Sequence, residues 1–437
     1  MRAFTPCLSA NNPGYFWLCG ALFYRNDGLN APHSQKYPGL FSPTKTALIP
    51  SMASFRKITS RAPTRVDLAG GTVDIWPIYL FLRQPTTLNL GIDLFAEAEI
   101  EEQAAAPGVP DVLLRASDQN REMFLKWDDF VGDASSSGEP AAHDRQMPAG
   151  VPPQLELHYK FLRHFAQELN AKGKLNRGVS LKLSTSAKSP AGAGLGGSSA
   201  LSVAMIGALA QWANGSIDVL KDGTRFIEIT RDVETTVIQV PAGLQDYYGA
   251  MFGGLQSLKW REGANERDWM PDDIIEGLEQ RLLLFYSGQS RNSGINNWAL
   301  FKMFIDRQEN VRERFEQIAR ATRDLEAALL KKDWMGASQA IASEWEVRRT
   351  LAKGISTPEM DDAFSSAREL ARAAGNQVVS GKVCGAGGGG CFFIFVPSGD
   401  EKLKTQIREK VTSLGIRSLP FKAPRRGLSV TQTEAGK

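Results

Sequence analysis

"KSPAGAGLGGSSALS", Lys188–Ser202, decides how this chain is read. Glycines stand at 192, 194, 196 and 197, Ser198 and Ser199 follow, and an apolar helical pattern begins at once. Just upstream, "GVSLKLSTS" (178–186) has the alternation of a strand. Removing side chains lets backbone N–H groups approach a ligand closely, and a helix N-terminus adds partial positive charge. The combination makes an anion site, above all for phosphate. Pro190 stiffens the entry, and the two hydroxyls can cap the helix or ligate a nucleotide-borne Mg2+. A plain strand-to-helix turn would need fewer glycines. No Lys-Ser/Thr pair closes the loop, so it is not a Walker A sequence. It satisfies G-x-G-x-x-G through Gly192, Gly194 and Gly197, with Asp218 as a ribose acid, but that dinucleotide reading leaves both serines without a role.

Around this loop the chain reads as an enzyme. It has 437 residues, room for two or three domains. The charge is nearly balanced, formally +3, with no dense basic block, which argues against a nucleic-acid partner. No apolar run reaches membrane-spanning length. Cys7, Cys19, Cys384 and Cys391 have neither zinc-site nor disulfide-framework spacing, and a reducing, cytoplasmic setting is expected. Residues 1–53 are unlike the rest, with Asp27 the only acid among the first fifty. They read as a disordered extension, a targeting peptide, or sequence upstream of a true start at Met52.

From Phe55 onward strand-like and helix-like blocks alternate, as in an α/β or α+β enzyme. "LNLGIDLFAEAEIEE" (88–102) and "VLLRASDQNREMFLKW" (112–127) read as strands, and 132–153 as a lid or insertion. "LELHYKFLRHFAQELN" (155–170) has helical spacing. After the glycine loop a helix is expected from about Ser198 to Trp212, with Leu201, Met205, Leu209 and Trp212 on one face. The polar stretch after "LQSLKW" (255–260) is taken as a domain boundary.

"SPAGAGLGGSSALS" resembles the central motif of the GHMP kinase superfamily, which includes galactokinase, homoserine kinase and mevalonate kinase. "RAPTRVDLAGGTVDI" (61–75) resembles its N-terminal substrate motif, and "GKVCGAGGGGCFFIFV" (381–396) its C-terminal glycine motif. "VPAGLQDYYGAMFGG", "LLLFYSGQSRNSG" and "ASEWEVRRTLAKGISTPEMDDAF" resemble the sugar-kinase branch with D-glycero-D-manno-heptose 7-phosphate kinase and fucokinase-like enzymes. The resemblance implies an α+β, two-domain fold. An N-terminal domain with a left-handed βαβ crossover would span 54–265, and a ferredoxin-like domain 266–437. Two departures bear on function. Gly-Gly-Ser-Ser stands where Gly-Ser-Ser is usual, and no Glu-His pair follows the first motif, which speaks against galactose.

The same resemblance assigns roles. ATP would lie on Lys188, Pro190, Gly192, Ala193, Gly194, Leu195, Gly196, Gly197, Ser198 and Ser199. Mg2+ would be held by Ser198 or Ser199 with Glu234 in "FIEITRDVETTVI", Asp232 being a competitor. Asp246 in "GLQDYY" would be the base, and Arg65 a fixed cation beside the reacting hydroxyl or a salt-bridge partner of Asp246. Substrate contacts would come from Asp67, Gly70, Gly71, Asp74, Gln245, Arg291, Gly385, Ala386, Gly387 and Gly388. Asp67 could instead be structural. Arg291 would recognise a substrate phosphate, with Lys188 and Lys382 as further phosphate partners. Cys384 and Cys391 read as small buried apolar residues. The expected reaction is ATP-dependent phosphorylation of a sugar or sugar phosphate by a monomer or homodimer. A mevalonate- or phosphomevalonate-type kinase and a non-catalytic nucleotide sensor are the alternatives.

Overall fold

The structure, a computed structural model, describes residues 56–131, 147–289, 293–308 and 310–434. The expectations for residues 1–53, for Arg291 and for most of the 132–153 loop therefore fall outside the described residues.

The first half contains β1 (Arg56–Ala69), β2 (Thr86–Ala104), β3 (Val112–Ala116), β4 (Arg121–Leu125), α1 (Trp127–Val131), α2 (Glu156–Ala171), β5 (Val179–Ala187), α3 (Gly197–Asn214), α4 (Val219–Ile238), α5 (Gln245–Phe252), β6 (Leu255–Lys259) and β7 (Glu266–Trp269). The second contains α6 (Asp272–Glu279), β8 (Leu282–Tyr286), α7 (Ser293–Ile305), α8 (Val311–Leu330), α9 (Trp334–Arg348), α10 (Pro358–Ala373), β9 (Ser380–Val383), β10 (Cys391–Phe395), α11 (Glu401–Ser413), β11 (Arg417–Ser418) and β12 (Ser429–Thr433).

The larger sheet runs β12-β1-β2-β5-β3-β4, with β6 on the far end of β2 and β7 on β6. All its ladders are antiparallel except β3 with β5. The stretch 112–127, read as continuous strand, breaks at Ser117–Asn120 into a hairpin, with Asn120 in the left-handed region (φ 49). The smaller sheet, β11-β8-β10-β9, is fully antiparallel. Renumbered along the chain its order is 4-1-3-2, the ferredoxin-like βαββαβ arrangement.

Burial along β2 changes character midway. Thr86–Ile92 is buried on both faces, whereas from Ala96 onward burial alternates with the period of a half-covered sheet. The doubly buried half packs Leu88, Leu90 and Ile92, with Val66 and Leu68 of β1, into one cluster with Leu284, Phe393 and Phe395 of the smaller sheet. The alternating half gives Ala96, Ala98 and Ile100 to a second cluster with α2 and α3. The two long strands thus serve both cores, and residues 52–437 form one compact unit.

A cut between residues 265 and 266 does not follow the sheets. β7 lies beyond the cut yet pairs with β6, and β12 returns to pair with β1. Likewise α3 is not one-sided: Ser199, Ala200 and everything from Ser202 to Ala210 are buried, while Leu201 is only partly so. Its near-continuous apolar sequence suits a helix enclosed on all sides.

Candidate active site

β1 ends in the segment that positions the site. Arg65 and Asp67 lie two residues apart, on one face of the strand. Arg65 is 3% exposed, and its Nε and Nη2 donate to Asp246 Oδ1 at 2.9 and 2.5 Å. Nη1 donates to the Gly194 carbonyl at 2.6 Å, and the Arg65 amide to Leu195 O at 3.0 Å. One side chain thus ties the glycine loop to Asp246, in the first turn of α5. Both bonds fall on Oδ1; Oδ2, like Cβ and Cγ of the same side chain, lies 3.3 Å from where a side chain at Gly196 would begin.

The loop alternates left-handed glycines, Gly192 (φ 67), Gly194 (φ 74) and Gly196 (φ 71), with the buried anchors Ala193 and Leu195. Such alternation turns successive N–H groups to one side as an anion nest. Ala191, Gly192 and Ser198 are exposed, so the loop faces solvent beside Asp246 rather than being sealed in the core. Lys188 is exposed, its amide bonded to Phe95 O at 3.0 Å.

Glu234 of α4 points at the first turn of α3. Ser198 Oγ donates to its Oε1 at 2.5 Å and Ser199 Oγ to its Oε2 at 3.2 Å. Burial pushes this carboxyl above its ordinary value, against the pull of the two hydroxyls and of Tyr247. A buried acid met by hydroxyls rather than by a cation is a donor set of hard oxygens short of positive charge, which fits Mg2+ completed by phosphate and water oxygens. Among the described residues no group of three or more His, Cys, Asp or Glu side chains gathers to hold a metal. A metal here would depend on the nucleotide for the rest of its shell. Asp232 pairs with Arg231 at 2.6 Å on the exposed side of α4.

Asp74 is 1% exposed; its Oδ2 accepts the Gln245 amide at 2.9 Å, while Oδ1 has no partner. Burial, reinforced by the nearby Asp246 charge, pushes it up to about 7. The side-chain oxygen of Gln245 is also buried and unpartnered, next to the same turn.

Beneath these groups lies a charged cluster that motif spacing did not reveal. Lys382 is fully buried, 2.8 Å from Glu344 Oε1 and 3.3 Å from Asp67 Oδ2. Arg348, four residues after Glu344 on α9, lies 3.9 Å from that acid. Burial alone would raise Asp67, but the charges of Lys382, Arg348 and Arg65 outweigh it and hold the carboxyl below its usual range. Lys382 is therefore enclosed with two acids and is not placed to meet a phosphate. Asp67 is likewise committed to the cluster. Tyr247 was missed too; only its place next to Asp246 hinted at it.

The C-terminal glycine cluster backs onto the loop. Cys391 N donates to Ala193 O at 2.7 Å, and a side chain at Gly385 would meet Gly194 Cα at 2.8 Å. Gly387 presses on Ile355, and Gly388 N bonds Ile355 O at 2.8 Å. Gly70 and Gly71 turn at the end of β1, Gly70 against the Thr86 carbonyl and Gly71 against Asp67. Arg348 bonds Gly385 O at 2.6 Å, in the same cluster as Ala386. Cys384 and Cys391 are buried, and desolvation pushes the Cys384 thiol up to about 12 and Cys391 higher still.

A glycine nest, a serine–carboxylate corner and an Arg-held acid on a two-sheet scaffold define a small-molecule phosphotransferase. The chain carries both GHMP kinase domains: residues 156–254 match the GHMP kinases N terminal domain and residues 325–414 the GHMP kinases C terminal domain. It is 23% identical over 364 residues to the L-fucokinase/L-fucose-1-P guanylyltransferase of Bacteroides fragilis, covering 81% of this chain but 36% of that protein. It is 23% identical over 352 residues to the D-glycero-alpha-D-manno-heptose 7-phosphate kinase of Campylobacter jejuni, covering 78% of this chain and 90% of the relative. Among solved structures, a D-glycero-D-manno-heptose 1-phosphate kinase from Bacteroides thetaiotaomicron superimposes with a TM-score of 0.57 at 19% identity, over 86% of this chain and 98% of that one. That likeness speaks for the fold.

Proposed function

We propose that this chain transfers the γ-phosphoryl group of ATP to a hydroxyl of a sugar or sugar phosphate, a heptose phosphate being the favoured class. The observation that carries the reading is the Arg65–Asp246 pair set directly on the glycine loop. The relatives named above support the substrate class.

Phosphoryl transfer needs a positioned alcohol, a neutralised triphosphate and a proton acceptor. The nest at 192–197 binds the phosphates through backbone N–H groups. Ser198, Ser199 and Glu234 would hold Mg2+, which when bound neutralises charge on the phosphate oxygens. Asp246 accepts a hydrogen bond from the sugar hydroxyl on Oδ2, because Oδ1 is occupied by Arg65. As the sugar oxygen bonds to the γ-phosphorus and the bridging P–O bond to ADP breaks, the hydroxyl proton passes to Asp246. Arg65 holds that carboxylate aimed through its two hydrogen bonds to Oδ1, and its charge lies beside the transferring group. Asp74 Oδ1 and Gln245 Oε1, both lacking donors, receive further hydroxyls of the sugar.

The test is ADP release with Mg-ATP and a panel of hexoses, heptoses and their phosphates. Wild type is expected to turn over at least one of them, and Asp246→Asn to lose at least about 100-fold in kcat while still binding nucleotide. Equal rates for the two proteins on every accepted sugar would remove Asp246 as the base.

A further inference from the structure

Arg348 is 3% exposed and lies between the two loops that the proposed reaction must align. Its Nη1 donates to Gly71 O at 2.7 Å. Its Nη2 donates to Thr72 Oγ1 at 3.1 Å and to Gly385 O at 2.6 Å. Gly71 and Thr72 form the turn that leads to Asp74, whereas Gly385 packs on Gly194 of the nucleotide loop. One guanidinium therefore spans the sugar side and the nucleotide side of the cleft.

Two buried acids call for a second cation beside Lys382, but charge balance does not fix where the Arg348 fork points. Lys382 already meets both buried acids, at 2.8 and 3.3 Å, whereas the carboxylate that Arg348 pairs with stands 3.9 Å away. The short contacts of Arg348 all go to loop oxygens. These acceptors are met by two nitrogens of one rigid plane, whereas an ammonium carries all its donors on a single nitrogen and cannot reproduce that span. Thr72 adds a second sign of constraint. It is β-branched yet sits at φ 73, a left-handed conformation that such residues avoid unless the surroundings enforce it.

We propose that Arg348 is a positioning residue that locks the Gly71–Thr72 turn to Gly385, so that nucleotide binding at 192–197 is transmitted to the turn carrying Asp74. The nucleotide half of this rests on the proposed function; the lock itself does not.

The experiment is amide hydrogen exchange on the full chain, free and with Mg2+ and a non-hydrolysable ATP analogue. Arg348→Lys keeps the buried charge but not the fork. Ser338→Ala serves as control, because Ser338 lies buried on the same helix and bonds Ser380 at 2.9 Å, away from both loops. In the free protein, Arg348→Lys is expected to speed exchange at 70–74 at least about 10-fold and Ser338→Ala to leave it unchanged. In wild type the analogue should protect 70–74 together with 192–197; in Arg348→Lys protection should stop at 192–197. KM for the accepted sugar should then rise with kcat little changed. Unaltered exchange at 70–74 in free Arg348→Lys, or protection reaching 70–74 equally in both proteins, overturns the proposal. An analogue that protects neither segment in wild type counts instead against the nucleotide reading, and the free-protein comparison still decides the lock.

Discussion

Asp74 is the side chain whose protonation reports most directly on the site. Its carboxyl, lifted from an ordinary value near 3.8 to about 7, holds its proton more tightly in the folded chain than in the unfolded one. Folding therefore takes up a proton between those limits, and this residue's contribution falls as pH rises through the window. Asp74→Asn removes the dependence while leaving an oxygen for the Gln245 amide. Urea unfolding of both proteins at pH 4, 6 and 8 should show the variant gaining on wild type with rising pH, by at most about 4 kcal/mol. A constant difference across the range would mean that Asp74 is not desolvated as described. On the proposed function, a sugar hydroxyl donating to Oδ1 would offset part of that desolvation cost.

Among elements, the glycine loop makes a steric demand that an exposed helix end does not. Gly194 sits at φ 74, and a side chain there would begin 2.6 Å from the Cys384 carbonyl. Gly215, which ends α3 at φ 76, has nothing within 4 Å of the same position. Gly215→Ala should cost only the backbone conformation, about 1 kcal/mol. Gly194→Ala must also displace main chain, and should cost about 3 kcal/mol or more. Chemical denaturation of the pair measures the difference; equal losses would show that the two glycine clusters are not in contact. The glycine loop was legible in the sequence because its needs are local: bare backbone, a strand before it and a helix after. Asp246 and Arg65 were legible through motif wording. The cluster of Asp67, Glu344, Arg348 and Lys382 was not, because its members are brought together from segments hundreds of residues apart, as with Lys382 and Asp67 at a separation of 315. Nothing in the local sequence of a buried lysine distinguishes it from a solvated one. The 112–127 hairpin was missed because a polar four-residue turn without glycine or proline looks like a strand's exposed face.

For the whole molecule the question is whether the two sheets behave as separate bodies. β1 and β2 feed both apolar clusters, and each cluster draws on both halves of the chain. Loss of either core would expose the other's strands. Urea unfolding followed by far-UV circular dichroism and by tryptophan emission should therefore give a single coincident transition for residues 52–437. Two separated transitions would show that the sheets are independently stable. The polar segment after Trp260 looked like a boundary because loops and linkers share composition; only the pairing of β7 and β12 shows that the chain crosses back.

The pairing of β12 with β1 also sets a timetable. Thr431 and Thr59, bonded across that ladder, are separated by 372 positions. At ribosomal speeds of about 5–20 residues per second, the opening strand waits roughly 20 to 75 s for its neighbour to be made. During that interval its outer row of amides and carbonyls is open to any passing extended peptide. Newly made chains halted before Ser429 should accordingly engage holding chaperones longer than finished ones.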